Sequence, residues 1–158
     1  MTRIAITGHR GLPEGTTVLI DKALRAELAE RDTNLIGLSC LADGADALFA
    51  RAVLDCGGIL IAIIPARRYR DGLPAEHHAT YDELVAAASD VIQLDYDEST
   101  SQAHQAGSER MLETADELFA VWDGKPARGY GGTADVVAAA QHRGIPVTVI
   151  WPEGSRRD

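Results

Sequence analysis

Along the chain, short continuous runs of aliphatic and β-branched residues alternate with longer stretches in which apolar positions recur every three or four residues. The short runs, at residues 3–7, 34–39, 58–64, 90–94, 117–122 and 146–151, predict six strands. Most are apolar throughout rather than at alternate positions, which predicts burial on both faces and hence a mostly parallel sheet. The longer stretches predict helices. Within residues 16–31, Ile20, Leu24 and Leu28 follow at intervals of four, while Asp21, Lys22, Arg25 and Glu30 face elsewhere. Further helices are predicted at 45–55, 81–88, 101–115 and 133–142, the last stopped by Gly144 and Pro146. Such alternation predicts an α/β fold of three layers, with helices on both faces of about six strands.

Residues 1–153 are expected to form a single domain, because 158 residues match the usual size of one domain and no linker interrupts the pattern. Residues 154–158 are expected to be a disordered tail. The segment 66–79 is the longest irregular stretch and carries Arg67, Arg68 and Arg70, a cluster that reads either as a grip for a second phosphate or a carboxylate or as a solvated loop.

Composition narrows the partners. Against 15 Lys plus Arg stand 24 Asp plus Glu, a net charge of -9, with only 5% aromatic residues. Clamping of a nucleic-acid backbone and stacking of its bases are both disfavoured by that balance, so nucleic acid is not expected as a partner. Only Lys22 and Lys125 are lysines, which leaves the positive charge almost entirely to Arg, the side chain that grips small anions best. No apolar run approaches the roughly 20 residues of a membrane span, so a cytoplasmic protein without membrane contact is expected. Cys40 and Cys56 read as reduced and structural. No metal is expected, since the adjacent His77 and His78 would splay apart on a helix and lack a third ligand. No cofactor fingerprint is present either: the Walker and dinucleotide glycine spacings both fail.

In an open parallel sheet, ligands bind beyond the carboxyl ends of the strands, so the residues after each strand carry the chemistry. After the first strand, Gly8, His9 and Arg10 combine close backbone approach with a cation. After the second, Ser39, Asp43 and Gly44 precede a helix; Asp43 reads either as its cap or as an acceptor for sugar hydroxyls. Gly131, Gly132 and Thr133 precede the last helix, where uncovered amides and the helix dipole favour a phosphate. Asp123 follows the fifth strand directly, in a position suited to a catalytic carboxylate.

These segments resemble the SLOG superfamily, which joins the LOG-type phosphoribohydrolases once labelled lysine decarboxylases, the Rossmann-like part of DprA and the nucleotide-sensing domain of TRPM channels. The resemblance rests on Thr7-Gly8-His9-Arg10, on Ser39 with Leu41-Ala42-Asp43-Gly44-Ala45-Asp46, on Ser108-Glu109-Arg110-Met111 with Ala115-Asp116, and on Gly131-Gly132-Thr133. It implies a Rossmann-like sheet that binds a small nucleotide or nucleotide-derived ligand, AMP- or ADP-ribose-like, with phosphate at Gly131-Gly132-Thr133. It also implies a homo-dimer or higher homo-oligomer. As the alternative function it implies LOG-type cleavage of the N-glycosidic bond of a nucleoside 5′-monophosphate, with Arg110 orienting the ligand. The LOG pattern departs at Val136, which stands where a Glu is required, so Asp135 or Asp123 would have to supply the carboxylate.

Overall fold

A computed structural model of the chain describes residues 1–31 and 34–157. Six strands, β1 (Thr2–Gly8), β2 (Leu35–Ser39), β3 (Ile59–Ile64), β4 (Asp90–Gln93), β5 (Glu117–Val121) and β6 (Val147–Val149), build one sheet. Five helices accompany them: α1 (Glu14–Ala29), α2 (Ala45–Asp55), α3 (His78–Ala87), α4 (Ser101–Leu112) and α5 (Thr133–His142). Every strand pairing is parallel, in the order β4-β3-β2-β1-β5-β6. The α/β architecture with a parallel sheet of six strands is therefore as the hydrophobic pattern predicts.

The continuous apolar runs have the expected cause. On β1, Ile4 and Ile6 pack with Ile20 and Leu24 of α1 and with Phe49 and Val53 of α2. Ala5, between them, points through the sheet to Met111 of α4 and Val136 of α5. Each such side chain removed from water contributes about 1.5–3 kcal/mol, so a strand with two buried faces needs apolar residues at every position. Phe49 and Phe119 meet edge to face with ring centroids 5.9 Å apart. Helices α1 and α2 are neighbours, as are α4 and α5.

Two expectations need correction. Residues 154–157, expected to be disordered, are pinned to the start of α1: the Thr16 hydroxyl donates to the Arg156 carbonyl (3.0 Å), and the Arg156 amide donates back to Thr16 Oγ1 (2.8 Å). Charge and glycine content alone gave no sign of this reciprocal pair, and Asp158 lies outside the described residues. The irregular segment 66–79 contains two 3₁₀ turns, Arg70–Gly72 and Ala75–His77. Among the described residues no helix is long and apolar enough to cross a membrane.

Candidate functional site

The chain leaves β1 leftward through β2, β3 and β4, then crosses back to place β5 on the other side of β1. At such a switch point the loops after the two central strands diverge and open a crevice. A cleft of about 250 Å³ lies there, lined by residues from the loops after β1, β2 and β3, from α4, from the start of α5 and by Arg157. Its β1 wall is Thr7 to Arg10. Gly8 and Gly44 bring the loops together: a Cβ at Gly8 would lie 2.4 Å from the Ala45 Cβ, and one at Gly44 would lie 2.6 Å from the His9 carbonyl oxygen. Gly44 also has φ +87°, a conformation that glycine adopts without steric cost.

The half of the cleft beside β5 is cationic. Arg128 and Arg157 line it, with Gly131, Gly132 and Thr133 at the start of α5. No side chain caps that helix. His9 is only 3% exposed and ties this half together. The Asp123 amide donates to its Nε2 (3.0 Å), and the Thr133 hydroxyl lies 3.3 Å from its Nδ1. Trp151 closes edge-on over the imidazole, with centroids 5.5 Å apart. Burial lowers the His9 pKa, with Arg157 and Arg128 acting in the same direction against the opposing pull of Asp123. A neutral ring fits the amide donor at Nε2, which leaves the proton on Nδ1 facing Thr133. Asp123 itself sits 3.7 Å from the Arg157 guanidinium and accepts from the Lys125 amide (3.0 Å).

The half beside β2 and β3 has a different character. Asp46, on the first turn of α2, lines it together with Cys40, Tyr69 and, from α4, His104. Burial pushes the Asp46 carboxyl up to about 7, despite the opposing Ala42 amide and the Arg10 charge. Burial likewise raises the Cys40 thiol and the Tyr69 phenol, with the Asp46 charge adding to both. His104 is lowered by burial and by Arg10. Arg10 stands between the two halves, its Nε donating to Asp43 Oδ1 (2.9 Å). The turn leading to Asp46 is strained, with Leu41 at φ 62°, and is propped by its own amide on Ser39 Oγ (3.1 Å) and by His77 Nε2 against its carbonyl (2.9 Å).

Of the residues singled out in the sequence, Gly8, His9, Arg10, Gly131, Gly132 and Thr133 line the cleft together. Others do not. Ser39 is buried and donates to the Asp46 carbonyl (3.1 Å), bracing the β2 turn. Asp43 neither caps α2 nor faces the cleft: it clips Arg10 and accepts from the Gly11 amide (3.0 Å). Gly44 faces the His9 carbonyl rather than the cleft.

The three candidate catalytic residues are not assembled. Arg110 has a side chain 46% exposed beside Glu113 (3.6 Å), because α4 turns His104, Ser108 and Met111 inward and Arg110 falls off that face. Asp135 accepts from the Gly131 amide (2.9 Å) and so shapes the glycine loop. Asp123 supports His9. Val136 is buried in the core. The arginine cluster is also turned away: Arg67 pairs with Asp95 and Asp97, Arg68 with Glu98 and Arg70 with Asp82. Asp46, Arg128 and Arg157 escape a reading confined to glycine-rich junctions; the first turn of the helix after β2 was the one available signal, for Asp46.

No protein-family model matches the sequence, and no curated protein is similar to it at a significant level. Solved structures do match. DNA processing protein A (DprA) from Streptococcus pneumoniae superposes with a TM-score of 0.71 at 18% identity, over 98% of this chain and 52% of that protein. This chain thus spans about half that protein's length. DprA from Helicobacter pylori gives a TM-score of 0.67 at 18% identity, over 98% of this chain and 67% of that one. The Moco carrier protein of Chlamydomonas rheinhardtii gives 0.56 at 16% identity, over 94% and 74%. The chain shares the Rossmann-like fold of these proteins.

These structural neighbours correct one expectation, that nucleic acid is not a partner. The Helicobacter pylori protein is described as having a unique single-stranded DNA binding mode, so net charge does not set nucleic acid aside for this fold. The physical reason lies in how charge is distributed. Net charge sums the whole surface, whereas an anion entering the cleft meets Arg10, Arg128, Arg157 and a helix N-terminus. Many of the acids lie elsewhere in ion pairs, as Asp95, Asp97 and Glu98 do.

Proposed function

We propose that this chain binds a small phosphorylated ligand of nucleotide type, AMP- or ADP-ribose-like, with its phosphate at the start of α5 between Thr133, Arg128 and Arg157. The observation that carries this reading is the convergence of three arginines and an uncapped helix start on one cleft in a chain of net charge -9. Arginine forks and exposed helix amides both suit phosphate oxygens. Neutral His9 holds the α5 start and the β5 loop in register, so it positions the anion site without competing for it. Hydrolysis in the LOG manner gains no support, because Arg110 points outward and Val136 is in the core. The ligand is bound intact on this reading.

Ligand-observed proton NMR tests it with AMP, ADP-ribose, adenosine and a short oligothymidine. AMP and ADP-ribose are expected to show saturation transfer while adenosine shows little. Equal signals from AMP and adenosine would overturn the phosphate placement. Release of free adenine over time would make the protein a hydrolase, and binding of the oligothymidine in preference to AMP would make it a single-strand binder.

A further inference from the structure

We propose that Asp46 receives the 2′-hydroxyl of a ribose, so that the cleft selects ribonucleotides over 2′-deoxyribonucleotides. This rests on the phosphate placement above and adds the residue that reads the sugar.

The two halves of the cleft lie on opposite sides of β1. Arg128, Thr133 and Arg157 belong to the β5 side, and Asp46 belongs to the β2 side. Two strand spacings separate β2 from β5, which is roughly 10 Å. That span suits a phosphate at one end and the hydroxyls of its own sugar at the other. It is short for the far edge of a base. The volume argues the same way, since about 250 Å³ lies below the roughly 300–1,000 Å³ usual for larger ligands. A phosphorylated sugar fits inside while the base projects from the mouth.

Asp46 has acceptor capacity left for such a group. The one hydrogen-bond partner of its carboxyl group among the described residues is the Ala42 amide, 3.4 Å from Oδ2 and longer than a good bond. A carboxylate offers about four lone-pair positions. A phosphate would be repelled there, whereas a hydroxyl can donate. A base gains little, because the Tyr69 ring is 4% exposed and packs against Tyr81 (6.1 Å between centroids) and His104 (5.6 Å), so it presents no stacking face. Arg10, clipped by Asp43, stands between the halves and keeps the two negative groups of site and ligand apart.

Isothermal titration at pH 8, where the Asp46 carboxyl is mostly ionised, with AMP, 2′-deoxy-AMP and inorganic phosphate tests the assignment, since the two nucleotides differ in one hydroxyl. The wild-type protein is expected to prefer AMP by about tenfold or more, the effect of one hydrogen bond to a charged acceptor. Asp46→Ala is expected to erase the preference by weakening AMP alone, and Asp46→Asn to reduce it to about threefold or less, as a neutral acceptor would. A thermal melt of each variant confirms that it folds. Equal wild-type affinity for the two nucleotides, or an undiminished preference in Asp46→Ala, overturns the ribose assignment while phosphate binding stands. If neither nucleotide nor inorganic phosphate binds, the phosphate placement falls and the ribose assignment falls with it.

Discussion

His9 and Asp123 meet twice at one nitrogen: the Asp123 amide donates to His9 Nε2 at 3.0 Å, and the Asp123 carboxylate oxygen Oδ1 lies 3.3 Å from the same atom. The two contacts exclude each other. A neutral ring accepts from the amide, and a protonated ring must turn its new N–H toward the carboxylate. Burial lowers the His9 pKa from 6.5, so folding favours the neutral form. The native state then binds fewer protons than the unfolded chain, and stability falls as pH drops below 6.5. His104, also lowered, adds a slope of the same sign. His9→Gln keeps an acceptor for the amide and is expected to flatten melting temperature against pH below 6.5. An unchanged slope would mean that His9 does not titrate there.

Asp46 has the opposite sign. Its carboxyl is pushed from 3.8 up to about 7 by burial, so the native state holds a proton that the unfolded chain has lost. Its contribution to stability is fully present below pH 3.8 and declines as pH rises to about 7. The charged and titratable groups that act on it or feel it are Arg10, Asp43, Cys40 and Tyr69. Asp46→Asn is expected to raise the melting temperature at pH 8 more than at pH 5, a difference worth a few kcal/mol at most. Melts at the two pH values check this.

Arg157 and Arg110 offer a paired test of where the anion sits. Arg157→Ala and Arg128→Ala are each expected to weaken AMP about tenfold, the effect of losing one charge-assisted contact, while Arg110→Ala changes it by less than about twofold. Titration calorimetry reads all three. A large loss in Arg110→Ala alone would relocate the site to the outer face of α4.

The glycine loop before α5 constrains the choice of probe. A Cβ at Gly132 would lie 2.9 Å from the Ala127 Cβ, so even Gly132→Ala is expected to destabilise by about 1–3 kcal/mol through overpacking. Thr133→Val keeps the shape and removes the hydroxyl near His9. It is expected to cost about 1 kcal/mol or less in denaturant melts and to weaken AMP several-fold.

Much of the framework was legible because it follows from period and punctuation. The boundaries of α2 and α5 match the sequence reading, and β1 to β5 fall within two residues at each end. Those strands are apolar on both faces for a reason that Ile4, Ala5 and Ile6 show directly. Position after a strand also found His9, Arg10 and Thr133. Phase on a helix was harder: Ser108 and Met111 face the cleft, yet Arg110 between them does not, since two residues beyond Ser108 is about 200° of rotation. Long-range partners left no local trace. Nothing in the sequence around Asp43 announces Arg10 as its partner, and nothing near residue 157 announces the cleft.

The sheet order also dictates when the cleft comes into being. β1 precedes β2 in the chain and pairs with it across some thirty residues, at Thr2 opposite Leu35. Its other neighbour is far away in the chain, with Ile4 opposite Glu117. Contacts of such separation are the slower ones to close, so the β1–β2 pairing beneath Asp46 is favoured to precede the β1–β5 pairing beneath the arginines. The Asp46 side of the cleft thus rests on pairings between strands near in sequence, whereas its arginine side forms only once residues 117–157 dock.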